Sequence, residues 1–201
     1  EPVNIDTSAG NGSIEVGAIS SSSNVTLNAG TGDITLGDGF TNVATLSLTA
    51  GSLSVGSIVV DSGNLEFSFP VTCRSSTSTF STDTGNVSFA SLAPENPGLN
   101  LTIFTSAGSV TLPDMSSNIN SFKDVLITAN STVIGSGVIT TGDFTVSGGL
   151  TLESGALSVG GSFFQEGSSD VLISKNITAG EKLSFEGQVT FKDSITLQSQ
   201  E

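Results

Sequence analysis

Apolar and polar residues alternate in short stretches along the whole chain. The clearest stretches are pairs of apolar residues that flank one polar residue and follow one another at six or seven residues: Phe144/Val146, Leu150/Leu152, Leu157/Val159, then Leu183/Phe185, Val189/Phe191 and Ile195/Leu197. Side chains of a β-strand point alternately to its two faces, so each pair predicts a strand with one buried face. Three such strands and their corners would enclose one turn of a prism-shaped core.

A turn signal introduces many of these stretches and marks a repeat. The turn markers are Gly10, Gly30, Gly51, Gly85, Gly108, Asn130, Gly155 and Gly180, separated by 20, 21, 34, 23, 22, 25 and 25 residues. A repeat of this length made of strands and turns is typical of a solenoid, in which each turn buries its apolar face against its neighbours. We predict one all-β domain over residues 1–201, a parallel β-helix (β-solenoid) of about 8–9 coils of 20–25 residues.

Two mid-chain stretches depart from the repeat. The long interval between Gly51 and Gly85 predicts a protruding insert near 61–83, and the Pro- and Gly-rich sequence near 93–98 predicts an irregular loop. The candidate recognition residues of the insert are Phe67, Phe69, Cys73 and Arg74. Both rings alternate with polar residues, so a plain core strand is the other interpretation of them.

Composition narrows the function classes. The net charge of −14, with five Lys and Arg residues and no His, disfavours binding to nucleic acid or to anionic membranes. The apolar runs are only a few residues long, so no membrane span is predicted. The chain lacks His, Trp and Tyr and has one Cys, which leaves no Ser/His/Asp or Cys/His catalytic constellation. We predict that the chain is not an enzyme.

No cofactor is predicted, although calcium stays open as an alternative. Asp38, Asp61 and Asp83 are about one coil apart and might form a column of hard oxygen ligands. Their positions relative to the turn markers differ, which argues against one column and favours solvated surface carboxylates. Cys73 next to Arg74 has two interpretations as well, a thiol activated by its cationic neighbour or a buried incidental one.

The ends of a β-helix expose unpaired backbone groups and core side chains unless something covers them. The sequence has no amphipathic helical pattern that predicts a cap. Self-association or further repeats of a longer parent chain are the partners that could cover the ends. The candidate assembly surfaces are the apolar residues of the first and last coils: Val3, Ile5, Ile14, Val16, Val189, Phe191, Ile195 and Leu197.

The phrase Ala-Gly-x-Gly-x-Ile-x-Leu and its variants, at residues 8–17, 28–37, 49–56 and 154–160, resemble the repeats of large bacterial exoproteins of the filamentous haemagglutinin type. The looser pattern covers nearly the whole chain. These exoproteins leave the cell by two-partner secretion. The resemblance implies a right-handed parallel β-helix that forms a stalk or shaft outside the cell.

The sequence therefore predicts a non-enzymatic extracellular or cell-surface β-solenoid with a structural or adhesive role, as a fibre shaft segment or as a subunit that assembles end to end. Surface glycans or a host or neighbouring cell surface would be recognised on the mid-chain protrusions. The alternative is a carbohydrate-binding or polysaccharide-cleaving parallel β-helix that uses Phe67, Phe69 and Arg74 beside the predicted insert.

Overall fold

The computed structural model describes residues 1–115 and 120–200, without the side chains of residues 38 and 39. Within these ranges the chain forms β-strands and one short 3-10 helix, Ser8–Gly10. The strands are β1 (Val3–Asp6), β2 (Ile14–Ser20), β3 (Val25–Asn28), β4 (Asp33–Val43), β5 (Leu46–Thr49), β6 (Ser52–Val55), β7 (Ile58–Val60), β8 (Leu65–Cys73), β9 (Thr77–Thr82), β10 (Val87–Pro94), β11 (Asn100–Thr105), β12 (Ser109–Leu112), β13 (Val125–Ile134), β14 (Val138–Thr140), β15 (Phe144–Leu152), β16 (Leu157–Val159), β17 (Phe163–Glu166), β18 (Val171–Ile173), β19 (Ile177–Ala179), β20 (Leu183–Phe185), β21 (Val189–Phe191) and β22 (Leu197–Ser199).

These strands pair in parallel, each with a strand about one turn earlier or later in the chain. The distance along the chain between paired residues runs from 17 residues, Val43 to Val60, to 24 residues, Leu101 to Val125. The parallel β-solenoid of about nine turns is therefore confirmed. Its right-handed winding stays a prediction.

The turns have three faces, numbered here in the order in which the chain first visits them. Face 1 begins with β1, β3 and β5 and continues with the first part of β8, the first part of β10, β12, the second parts of β13 and β15, β18 and β21. Face 2 contains the first parts of β2 and β4, then β6 and the second parts of β8 and β10, and later β14, β16, β19 and β22. Face 3 contains the remaining parts of β2 and β4, then β7, β9, β11, the first parts of β13 and β15, β17 and β20.

One corner of most turns is rounded, and its place moves along the axis. β2 and β4 pass from face 2 onto face 3 as continuous strands, β8 and β10 pass from face 1 onto face 2, and β13 and β15 pass from face 3 onto face 1. From β16 onward each strand has only three or four residues, with a separate turn at every corner. The sharp corners, where glycine is needed, therefore also move.

The predicted protruding insert near 61–83 is wrong, and the change of corner explains the long interval that suggested it. Gly51 precedes a face 2 strand, whereas Gly85 precedes a face 1 strand, so the long interval is one turn plus a step to another corner. The residue one turn before Gly85 is Gly63, whose carbonyl oxygen lies 1.8 Å from where a Cβ on Gly85 would be. Residues 61–83 therefore form an ordinary turn of the solenoid.

The predicted irregular loop near 93–98 is placed one or two residues too early. Ala93 and Pro94 end β10, where they pair with Thr72 and Cys73 of β8. The bend and turn follow at residues 95–98, before β11.

The core is a single apolar column along the axis, because every strand turns alternate side chains inward. Four phenylalanine rings from adjacent turns pack together within it. Phe67 stacks on Phe89 with ring centroids 5.1 Å apart, and Phe80 packs edge-on against Phe89 at 4.9 Å and against Phe67 at 5.7 Å. Phe69 completes the group, 6.1 Å from Phe67. Such offset and edge-on contacts add to the stabilisation from area burial.

Face 1 has one interruption. β1, β3 and β5 form a separate three-stranded sheet, and within the described residues no ladder joins β5 to β8. The neighbouring parts of the same two turns still stack, since the Ser62 amide donates to the Ala44 carbonyl at 3.1 Å and Leu53 pairs with Val71. A cleft of about 170 Å³ opens between β5 and β8, lined by Leu46, Ser47, Leu48, Asn64, Leu65, Glu66 and Phe67.

The interruption coincides with a change of corner. After β5 the chain bends at Gly51, whereas β8 runs on past Phe69 without a turn. None of the described segments is a helix long and apolar enough to cross a membrane.

Candidate functional site

The aromatic residues predicted for recognition are core residues. Phe67 and Phe69 are 4% and 7% exposed, and they lie on the inward side of β8 with Leu65, Val71 and Cys73. The core-strand interpretation of both rings is confirmed, and the prediction that they lie on a protruding recognition surface is wrong. The carbohydrate alternative therefore loses both rings as a surface on which a sugar could stack.

Cys73 and Arg74 point to different environments. Burial raises the pKa of the Cys73 thiol to about 12, and the neighbouring Ser78 side chain offsets only part of that effect. Arg74 lies outside, where its Nε is 3.6 Å from a carboxylate oxygen of Glu95 on the next turn. The interpretation of Cys73 as a thiol activated by Arg74 is therefore wrong, because the protonated form of the thiol is favoured at neutral pH.

Two of the three aspartates considered for calcium do share a column. Val60 pairs with Thr82, which places Asp61 and Asp83 at the same corner of adjacent turns. The distances of Asp61 and Asp83 from the turn markers did not predict this column, because the glycine markers lie at different corners in different turns. The Asp83 carboxylate accepts a hydrogen bond of 2.7 Å from the Ser106 hydroxyl on the next turn. The side chain of Asp38 lies outside the described residues. Residues 1–115 and 120–200 hold no group of three or more His, Cys, Asp or Glu side chains that could bind a metal ion.

The same corner holds a glycine column, in which the turn markers Gly85 and Gly108 are preceded one turn earlier by Gly63, a residue not predicted to belong to it. The buried Thr82 and Thr105 hydroxyls donate to the Gly63 and Gly85 carbonyls, each at 2.7 Å. The Gly108 amide donates back to the Thr105 hydroxyl at 2.9 Å. A Cβ on Gly108 would lie 1.9 Å from the Gly85 carbonyl oxygen, so only glycine permits this close stacking.

Gln165 is a second missed residue. It is 1% exposed and lies in an inward column between Val146 and Phe185. The two hydrogens of its amide nitrogen are shared among the carbonyl oxygens of Gly148, Glu166 and Gly167, which lie at 3.0 to 3.1 Å. Its carbonyl oxygen accepts from the backbone amides of Glu186 and Gly187, at 3.2 and 2.9 Å. The carboxamide of Gln165 therefore joins the same corner of three successive turns. A Gln at an alternating apolar position, before Glu166 and Gly167, was the signal available in the sequence.

The first turn has a free edge on all three faces. Within the described residues, β1 pairs only with β3, and β2 pairs only with β4. Val3, Ile5 and Val16 are partly exposed, although they point the same way as buried residues one turn further in; Ile14 is 4% exposed. The predicted residues of this end are therefore correctly placed at the edge of the core.

The last turn is open in the same way. In the part of the chain that the structure describes, β20, β21 and β22 each pair with one strand only. Phe191 is 51% and Leu197 39% exposed, whereas their ladder partners Ile173 and Ile177 are both 0% exposed. Val189 is partly buried.

One residue of the last turn departs from its predicted role. Ile195 was expected to form a strand pair with Leu197 but lies in the corner before β22, where it packs partly buried against the core. Within the described residues, the first and last turns together present apolar side chains and unpaired strand edges; an assembly role for them stays a prediction.

Comparison of the chain with models of protein families, with curated proteins and with solved structures finds no match.

Proposed function

We propose that this chain is a structural element outside the cell, a stiff shaft segment that extends along its axis. The observation that carries the proposal is the apolar column, which forms one connected cluster from the first turn to the last and is enclosed by parallel ladders. A rod whose every turn rests on the next resists bending, because bending must stretch ladder hydrogen bonds on one side. Ten strand levels on face 1 at about 4.8 Å would give a length of roughly 40 Å.

The outer surface supports this proposal. The outward side chain in the middle of each strand is usually Ser, Thr or a carboxylate, as in the face 2 column Glu15, Thr35, Ser54 and Thr72. With a net charge of −14, such a surface is hydrated and repels copies approaching from the side. Growth along the axis is then favoured over lateral aggregation, as a shaft requires.

Location is the part of the proposal that a cell experiment tests. An antibody raised against the folded chain is expected to label intact, unpermeabilised cells of the source organism. An antibody against a cytosolic protein serves as the matched control and should label only permeabilised cells. If both antibodies need permeabilisation, the extracellular role is wrong.

A second measurement separates a shaft from an enzyme. Acidic and neutral polysaccharides are incubated with the chain, with and without calcium, and reducing ends are counted over a day. We expect the same slow release as with heat-denatured chain. Sustained release that requires the folded chain would overturn the structural function in favour of a polysaccharide-cleaving one.

A further inference from the structure

We propose that face 3 binds an extended segment of another protein, in which two apolar side chains are flanked on both sides by arginine or lysine. This inference goes beyond the shaft function and does not depend on it. It follows from three features of face 3: an exposed apolar centre, acidic residues along both borders, and the regular spacing of the outward side chains between them.

The apolar centre of face 3 consists of Phe104 and Leu126, which are 38% and 42% exposed. The two are diagonal neighbours on β11 and β13, because Phe104 pairs with Thr128 and Leu126 pairs with Thr102. Outside the last turn, the described residues include one other large apolar side chain exposed to this degree, Ile139 on face 2. An outward Phe beside an outward Leu therefore distinguishes face 3 from the other two walls.

The surroundings of this centre are uncharged and carry hydroxyl groups. The neighbouring outward side chains of β9, β11, β13 and β15 are Thr79, Ser81, Thr102, Thr128, Thr145 and Ser147. These four strands span about 14 Å of the axis. A segment that lies on this strip can bond to the hydroxyl groups without removing a charged side chain from water.

Both borders of the strip are acidic. Where the chain enters face 3, Asp124 and Asp143 lie on adjacent turns, and the Oδ1 atom of Asp124 accepts a hydrogen bond of 3.0 Å from the Asp143 amide. Where the chain leaves face 3, Asp61 and Asp83 share a column. Among the described residues, the ion pair of these four carboxylates is that of Asp124 with Lys123, at 3.4 Å. Both borders therefore keep a net negative charge, which favours a cationic partner.

The other cations near face 3 have partners of their own. Arg74 precedes β9 and lies 3.6 Å from Glu95. The Nζ atom of Lys182 lies 5.6 Å from the ring centroid of Phe164, so it covers the one other outward aromatic ring of this face. The apolar centre and the acidic borders are thus left for a second molecule.

The spacing of the columns defines the partner sequence. Outward positions along a strand recur every second residue, about 6.6 Å apart. Asp124 and Leu126 occupy successive outward positions, Phe104 lies in the next column, and Asp83 lies in the column after that. The alternate side chains of an extended segment have the same spacing. They match these four columns when they are cationic, apolar, apolar and cationic in that order.

Arginine suits the border of Asp124 and Asp143 best. A groove of about 300 Å³ beside Leu126 is lined by both carboxylates and by Asn100. The apolar stem of an arginine can pack on Leu126 while its guanidinium donates to the carboxylate oxygens. A second copy of this chain is a poorer partner, because its net charge of −14 repels the same borders. A neutral glycan would leave the borders without a counter-charge.

The test uses a synthetic peptide of seven residues, with arginine at both ends, leucine at the third and fifth positions and threonine between them. It is titrated into the isotopically labelled chain at physiological salt, which screens unspecific attraction, and the backbone amides are followed by NMR. We expect saturable binding, with shift changes confined to face 3 and largest in β9, β11 and β13. A peptide of the same composition with both arginines at one end should bind about tenfold more weakly.

A matched pair of variants tests the apolar centre. Leu126→Ser should weaken binding of the peptide about tenfold, because the leucines of the peptide lose their contact. Ile139→Ser changes a side chain of similar exposure on face 2 and should alter binding by less than about twofold. Both side chains are exposed, and circular dichroism checks that both variants fold.

A second pair tests the borders. Asp83→Asn combined with Asp143→Asn removes one charge from each border and keeps an oxygen that can accept the hydrogen bonds from Ser106 and Ser162. This double variant should bind the peptide about tenfold more weakly. The control is Glu15→Gln combined with Glu153→Gln, which removes two exposed charges away from face 3. It should change binding by less than about twofold, since salt screens distant charges.

Several outcomes would overturn the inference. They are the absence of saturable binding, equal binding of the rearranged peptide, and an affinity that Leu126→Ser leaves unchanged. Shift changes spread over all three faces would indicate unspecific attraction to an acidic rod. Movement of the face 3 amides by a neutral glucan oligosaccharide but not by the peptide would make the surface a glycan site, and self-association through face 3 in sedimentation would make it a contact between copies. None of these results bears on the shaft function, which cell labelling tests separately.

Discussion

The first three turns and the turns that follow differ in how their face 1 wall is built. In the first three, β1, β3 and β5 form a small separate sheet, and Leu46 and Leu48 are only partly buried. From β8 onward the wall is continuous, and Leu65 and Phe67 behind it are 2% and 4% exposed. Both regions use the same alternating strands. The comparison shows that the inward side chains of a strand are less buried where the ladder to the next turn is interrupted.

Truncation of the core should separate the two regions most strongly. Phe80 is 0% exposed and touches two other rings, so Phe80→Ala should lower the free energy of unfolding by about 3 to 5 kcal/mol. Leu48→Ala at the cleft should cost about 1 kcal/mol, because that side chain already contacts water. Urea denaturation followed by circular dichroism measures both. Equal losses would show that the cleft closes in solution.

Alanine substitutions at two glycines test how closely the turns stack at the corners. Gly85→Ala would force a Cβ to within 1.8 Å of the Gly63 carbonyl oxygen and should cost about 3 kcal/mol. Gly10 also precedes a strand and carries the same sequence signal, but a Cβ there meets nothing within 4 Å. Gly10→Ala should therefore change stability by no more than about 0.5 kcal/mol. A tolerated Gly85→Ala would contradict the close stacking of this corner column.

A further test concerns the thiol of Cys73 and needs alkaline pH. Folding raises its pKa from the ordinary value of 9.0 to about 12, so the unfolded chain loses the proton first. The resulting stabilisation is complete below about pH 9 and falls as the pH rises toward 12. At pH 10.5 the wild type should have lost about 2 kcal/mol more than Cys73→Ala has, relative to pH 8. Parallel pH profiles of the two chains would contradict the buried, protonated thiol.

Thiol labelling compares the two regions directly. In Cys73→Ala, a new cysteine at the exposed Ser47 of the cleft should react with an aromatic disulfide at the rate of a free peptide thiol. Cys73 in the wild type should react at least about a hundredfold more slowly, because its exposure requires opening of the ladder. Comparable rates would mean that the continuous wall opens as readily as the cleft.

The fold was predictable because alternation is independent of where the corners lie. Each pair such as Leu157 and Val159 defines an inward strand by itself, and a repeat of that pattern leaves few architectures other than a solenoid. The corners were not predictable in the same way. A glycine turn can occupy any of the three corners, so equal sequence signals at Gly51 and Gly85 denote different places.

The candidate sites were predicted unevenly for the same reason. The repeat alone was enough to predict which apolar residues lie at the two ends, and Val3 and Phe191 lie at the edges of the core as expected. The predicted recognition residues depended on an insert that does not exist. Gln165 could not be assigned, because its role depends on carbonyls of other turns whose positions follow from the rounded corners.

The buried hydrogen bonds of Gln165 also constrain how the chain can wind. Successive turns of a solenoid are so alike that a nascent chain could stack one full turn out of phase and still match leucine with valine. Such a misthreaded coil would place this carboxamide beside the wrong carbonyls, at the cost of a buried unsatisfied amide. The buried carboxamide of Gln165 therefore favours one order in which successive turns can stack.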